Sequence, residues 1–175
     1  PDHLSYWTEE QGFHGVRLSP ATDASGDWFA GSLMDPLFRR ATQLSVPMLI
    51  LTRPARLPDL SRLLERHPEL DVVIDHMADF ALGRPGELQA LLALARYPHV
   101  YVKISHTWGI SRQPYPWRDT FDAVQRVYQA FGAQRLMWAT DWPVCLSRAT
   151  YGQTLSVVRE WVLGKTALKL WPFRV

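Results

Sequence analysis

The sequence holds one cysteine, Cys145, so no disulfide can form within the chain and a disulfide-stapled scaffold is excluded. No apolar run approaches the roughly 20 residues that a membrane-spanning helix needs. Basic residues never occur four in a row, and 19 Lys and Arg against 17 Asp and Glu leave a formal net charge of +2. That pattern argues against a nucleic-acid partner, and the lack of a long apolar run against a membrane one. Glycine is modest at 10 residues, and neither G-x-G-x-x-G nor G-x-x-x-x-G-K occurs, so a nucleotide-phosphate cradle is not expected. The chain opens on Pro1 with no signal-peptide pattern. The expectation is a cytoplasmic protein, processed or part of a longer polypeptide.

What is present is a globular composition. The 175 residues are 47% hydrophobic and 21% charged, enough for one domain with a buried core, and tryptophan is abundant at eight residues. Five short apolar runs read as buried strands: 13–18 (FHGVRL), 46–51 (VPMLIL), 70–75 (LDVVID), 99–104 (HVYVKI) and 135–139 (RLMWA). Their near-continuous apolarity predicts parallel strands covered on both faces.

Between the runs lie helical patterns. Residues 35–44 begin with an Asp35 cap and Pro36 in the first turn. Residues 57–67 space Leu60, Leu63 and Leu64 at i, i+3, i+4, and 85–97 and 119–131 repeat the pattern, the last stopped by Gly132. A final helix is expected over 153–170, interrupted at Gly164. Strand starts are spaced as in βαβ units, so the fold class is α/β with a parallel sheet. An open doubly wound sheet and part of a (β/α)8 barrel both satisfy this spacing.

The residues that carry chemistry cluster where the apolar runs end. They are Arg17; Thr52 and Arg53; Asp75 and His76; Lys103 with Ser105 and His106; and Thr140 and Asp141. In parallel α/β folds those ends converge on one face, where sites are built. His76 directly follows VVID and is a candidate ligand or acid–base group. Asp141 is a candidate metal ligand or general base, and Asp75 a group that backs its neighbours. Arg17 and Arg53 suit a carboxylate, which a guanidinium binds bidentately. No acidic residue lies within five positions of Arg17, so no local ion pair accounts for it. Lys103, His106 and Trp142 are further candidate substrate contacts, with Trp108 and Trp117 as pocket walls. His3, His14, His67 and His99 lie ahead of strands or in helices and are read as structural.

Five segments, GFHGVRL, HPELDVVIDHMA, YPHVYVKIS, RLMWATDWPV and LGKTALKLWPF, resemble the amidohydrolase-related family of metal-dependent hydrolases, which includes sugar and dicarboxylate lactonases. The resemblance implies a partial (β/α)8 TIM barrel: a single domain over 1–175 holding the last five strands with their helices. By the same resemblance, His76 takes the sixth-strand role and Asp141 the eighth-strand role as catalytic groups and metal ligands, with Arg17 at a substrate position on the fourth strand. A divalent metal, zinc, is the implied cofactor. The H-x-H pair that the family carries on its first strand has no counterpart here, and the stretch between Val158 and Trp161 is short for the family. The implied function is a hydrolase that opens a carboxylated lactone or similar cyclic ester with activated water. The alternatives are a decarboxylase of the same superfamily and a catalytically incomplete fragment. The 175-residue chain alone is expected to bind metal weakly and turn over little. The expected partner is an anionic small molecule, with homo-oligomerisation a further expectation.

Overall fold

In the computed structural model, residues 2–19 and 28–159 are described. Their strands fall inside the five predicted runs: β1 (Val16–Leu18), β2 (Met48–Ile50), β3 (Val72–Ile74), β4 (Val100–Ile104) and β5 (Leu136–Trp138). They form one parallel sheet in chain order, β1-β2-β3-β4-β5. The register aligns Arg17 with Leu49, Leu49 with Val73 and Val73 with Tyr101, and it aligns Lys103 with Met137. Side chains alternate across a strand, so these residues share one face of the sheet.

Helices precede, connect and follow the strands: α1 (Asp2–Ser5) before β1, α2 (Met34–Gln43), α3 (Leu57–Arg66), α4 (Pro85–Ala93), α5 (Thr107–Ile110) and α6 (Phe121–Phe131) in the crossovers, and α7 (Tyr151–Val158) after β5. In α3 the buried stripe is Leu57, Leu60, Leu63 and Leu64, the spacing read from the sequence. In α6 it is Ala123, Val124, Val127 and Phe131, and the chain leaves the helix at Gly132 with φ +72°. That positive φ suits a residue with no Cβ. At the start of α7, Thr150 and Gln153 form a reciprocal capping box. The predicted final helix is described only as far as Val158, and residues 160–175, with Gly164, lie outside the described residues.

Three expectations need correction. First, Asp35 is not a cap: α2 begins at Met34, and the Asp35 side chain turns away from its own backbone to accept hydrogen bonds from Arg39, Arg66 and His67. Charged donors attract a carboxylate more strongly than a neutral amide does. Second, the helices predicted over 85–97 and 119–131 are partly 3-10 turns, at Leu94–Arg96 and Arg118–Thr120. Third, the sheet is not covered equally on both faces. Met48, Ile50, Val72, Ile74, Val100, Val102 and Ile104 are at most 1% exposed under the helices. On the other face Met137 is 40% exposed, and Leu49, Tyr101 and Lys103 are partly open. The apolar runs could not show this, because Leu49, Val73, Tyr101 and Met137 belong to the apolar pattern as fully as their buried neighbours do.

Two tests follow from this packing. Leu63 is completely buried, and Leu63→Ala is expected to cost about 2–5 kcal/mol in chemical denaturation; a loss below about 1 kcal/mol would contradict the core described here. Hydrogen bonds from Arg66 and then His67 hold the Asp35 carboxyl at about 2, down from 3.8. The unfolded chain takes up this proton first, so Asp35 stabilises the fold above about pH 4. That contribution is lost as the pH falls towards about 2. The denaturation midpoint of the unmodified chain should therefore fall more steeply over that window than the midpoint of Asp35→Asn.

Candidate active site

The parallel register brings the carboxyl ends of the strands to one rim. There His76, just after β3, meets Asp141, just after β5, across the end of β4: Nε2 of His76 lies 3.5 Å from Oδ1 of Asp141. The same nitrogen lies 3.5 Å from Oδ2 of Asp75. The other ring nitrogen, Nδ1, is 2.8 Å from the buried hydroxyl of Ser105, which follows β4. Burial lowers the His76 pKa below its usual 6.5, and this outweighs the opposing pull of the Asp75 and Asp141 charges.

Asp75 is the hub of this cluster. Its side chain is only 3% exposed, and its Oδ2 accepts hydrogen bonds from Nη2 and Nε of Arg17, at 2.8 and 3.1 Å. Nζ of Lys103 lies 3.4 Å from Oδ1. Arg17 therefore does have an ion-pair partner, 58 residues away in sequence, which a search among near neighbours in the chain could not find. Half of the Arg17 side chain remains open to the uncovered face.

A second cluster adjoins the first. Asp79 accepts from Nη1 of Arg53 at 3.1 Å and holds Nδ1 of His106 at 2.5 Å. The His106 ring stands edge-on to His76, with centroids 5.3 Å apart, and packs on Trp108 at 4.3 Å. A cavity of about 190 Å³ opens beside it, with Arg53, Asp79, His106, Gly109 and Arg112 among its lining residues. Trp108 and Trp117 are buried, while Trp142 is 64% exposed beside Asp141. His67 and His99 pair with Asp35 and Asp71, in keeping with their structural reading.

The backbone that carries these groups is strained. His76, Met77, Ala78 and Asp79 are consecutive residues with positive φ, between 49° and 58°. Each such non-glycine residue costs on the order of 1–3 kcal/mol, and here Met77 and Ala78 are completely buried, which anchors the turn. The left-handed turn brings Asp79 back to the rim three residues after His76. His106 (φ 60°) and Asp141 (φ 58°) adopt the same conformation after β4 and β5. Sequence reading missed Asp79 and gave Ser105 no role. No periodicity signals a left-handed turn of non-glycine residues, and Ser105 acquires a partner only through the strand register.

Among the described residues no group of three or more His, Cys, Asp or Glu is arranged to hold an ion. His76 and Asp141 offer two donors, and Asp75 is engaged by Arg17 and Lys103. A catalytic zinc takes about three protein ligands and a water, so the described residues do not by themselves make such a site.

Residues 1–173 match the family model described as amidohydrolase. The chain belongs to the amidohydrolase family. It is 30% identical over 156 residues to an L-fucono-1,5-lactonase of Burkholderia ambifaria, an alignment covering 87% of this chain and 53% of the relative. The chain thus spans about half the length of that curated relative. Among solved structures it resembles an amidohydrolase from Burkholderia multivorans crystallised with HEPES, with TM-score 0.84 and 24% identity over 97% of this chain and 66% of that one. A crystal of that amidohydrolase with bound zinc gives TM-score 0.81, at 23% identity over 95% and 65%. A putative 2-pyrone-4,6-dicarboxylic acid hydrolase of Pseudomonas putida gives TM-score 0.75 and 26% identity over 100% and 69%. The five parallel strands and their helices accordingly form a partial (β/α)8 barrel. No helix among the described residues is long and apolar enough to cross a membrane.

The seat of His106 yields a test. A Cβ built on Gly109 would lie 2.1 Å from Nε2 of His106, so Gly109→Ala must displace a ring held by Asp79 and Trp108. The expected cost is about 1–3 kcal/mol. In a His106→Ala background the same substitution should cost less than about 0.5 kcal/mol, the non-additivity of a direct contact. Equal costs in both backgrounds would remove His106 as the neighbour that requires glycine.

Proposed function

We propose that the full-length protein is a hydrolase that opens a carboxylated lactone or a similar cyclic ester with activated water. The observation that carries this reading is the pairing of His76 with Asp141 at 3.5 Å, on a rim that also holds Arg17 and Lys103. The lactonase among the relatives supports the bond type.

Asp141, only 19% exposed at its side chain, is the general base. It takes a proton from a water molecule, and the hydroxide forms the new C–O bond at the ester carbonyl carbon. His76 polarises that carbonyl. Arg17 and Lys103 supply positive charge near the developing oxyanion in a partly desolvated site, where such charge counts for more than in water. The tetrahedral intermediate collapses with cleavage of the ring C–O bond, and the leaving alkoxide takes the proton back from Asp141. The product acid then ionises. Arg17 and Arg53 would hold the substrate carboxylate, while His106 and Trp142 line its approach. A divalent ion would find Asp141 as a donor, and His76 as a second one only with Nε2 free of its hydrogen, and it would need further ligands to complete its shell.

General bases contribute about 10²–10⁴-fold to rate. Asp141→Asn in the full-length protein should therefore lower kcat by at least about 100-fold with little change in KM, measured by acid release from carboxylated sugar-acid and dicarboxylate lactones. Activity within threefold of the unmodified enzyme would overturn the assignment of Asp141. Carbon dioxide release without ring opening would replace the hydrolase reading with a decarboxylase.

A further inference from the structure

The imidazole of His76 is restrained on every side, and its partners are unequal. On one side Nε2 faces two carboxylates, Asp75 Oδ2 and Asp141 Oδ1, each at 3.5 Å. On the other side, among the described residues, Nδ1 has a single partner, the Ser105 hydroxyl at 2.8 Å, and Ser105 is 3% exposed. The His106 ring stands edge-on beside it. A neutral imidazole carries its proton on one nitrogen only, and the hydrogen bond at the other nitrogen decides which. A lone pair on Nε2 would point at two negative groups, whereas a proton there is attracted by both. Nδ1 must then accept, and a serine hydroxyl can donate or accept as its neighbour requires.

We propose that Ser105 is a positioning residue for hydrolysis: its hydroxyl donates to Nδ1 of His76 and holds the ring as the Nε2–H tautomer, aimed at Asp141 and the substrate carbonyl. This rests on the hydrolase reading above and deepens it. Polarising a carbonyl requires a hydrogen on the nitrogen that faces it, and Ser105 is the group that keeps Nδ1 unprotonated so that Nε2 carries that hydrogen. Histidines that ligate metals usually back their second N–H onto a carboxylate, a carbonyl or water, which are good acceptors. A hydroxyl behind His76 has no such one-way preference. The two carboxylates favour a hydrogen on Nε2 but lie 3.5 Å away; the Ser105 hydroxyl, at 2.8 Å, is the close partner whose donated hydrogen holds the ring in that state. The resulting chain runs from Ser105 Oγ–H to Nδ1, through the ring, and from Nε2–H towards Asp141. Its register comes from three strand ends: Ser105 follows β4, His76 follows β3 and Asp141 follows β5.

The tautomer is read directly by two-bond ¹H–¹⁵N correlation spectra of the ¹⁵N-labelled chain in the presence of a chelator, with His76 identified by its loss in His76→Gln. The expected result is the Nε2–H pattern in the unmodified chain and in Ser105→Thr, which keeps the hydroxyl, and loss of that preference in Ser105→Ala. In the full-length enzyme Ser105→Ala should lower kcat by about 10–100-fold, the usual cost of removing such an orienting partner. KM should change less than threefold, and Ser105→Thr should restore most of kcat. An Nδ1–H pattern in the unmodified chain, or a Ser105→Ala variant with unaltered tautomer and kcat, would overturn the proposal. Failure of the hydrolase reading would show separately, as an enzyme that opens no lactone or an Asp141→Asn variant that is fully active. In those cases the spectra alone decide whether Ser105 sets the tautomer, and the catalytic part of the inference falls.

Discussion

The candidate site depends on one buried carboxylate. Asp75 sits at the end of β3 with its side chain nearly sealed from solvent, and it gathers Arg17 from β1, Lys103 from β4 and His76 from the next position in the chain. An unpaired charge at such a position would cost several kcal/mol, and removing one partner of a buried pair typically costs about 3–5 kcal/mol. The two cations are thus held on the open face of the sheet by a group that is not itself available to substrate. Among the described residues, Asp141 takes no part in this ion pair and meets it at the His76 ring. Under the proposed reading, Asp75 holds the cluster together and Asp141 acts as the base.

The backbone around the site works against its own preferences. Four consecutive residues after β3, one after β4 and one after β5 take the left-handed conformation without being glycine. Such strain persists where surrounding packing over-determines it. Here Met77 and Ala78 are buried in the core, so the turn cannot relax without unpacking them. The outcome is a compact rim in which Asp79 reaches both Arg53 and His106 while His76 faces the other way, towards Asp141. Gly109 completes the arrangement by leaving room for His106 where any side chain would collide.

The uneven covering of the sheet belongs to the same design. One face is closed by helices at nearly zero exposure, and the other presents Arg17, Leu49, Val73, Tyr101, Lys103 and Met137. In a (β/α)8 barrel the inward face is filled by side chains from all the strands. The five strands described here provide a part of that interior, and its polar residues sit at the end where barrel enzymes place their chemistry. Membership of the amidohydrolase family, the similarity to a lactonase and the rim geometry all support the proposed bond-cleaving role.

Much of this was legible in the sequence, and the division has a physical basis. Short apolar runs at βαβ spacing, leucines at i, i+3, i+4 and a glycine stop are local patterns, so the strands and the cores of the helices could be read without coordinates. The gathering of polar residues at strand ends was legible for the same reason, since a parallel sheet sends every carboxyl end to one rim. Contacts between strand ends were not. Arg17 finds Asp75 across 58 residues, and Ser105 finds His76 across 29, distances set by register and not by any chain pattern. The recruitment of Asp35 by Arg66 and His67 is likewise a tertiary choice among competing donors. Which residues stand at the ends of the strands is written in the chain pattern. Which of them touch is settled by the fold, because a parallel sheet joins residues far apart in the chain, and a left-handed turn redirects side chains in ways that no local periodicity records.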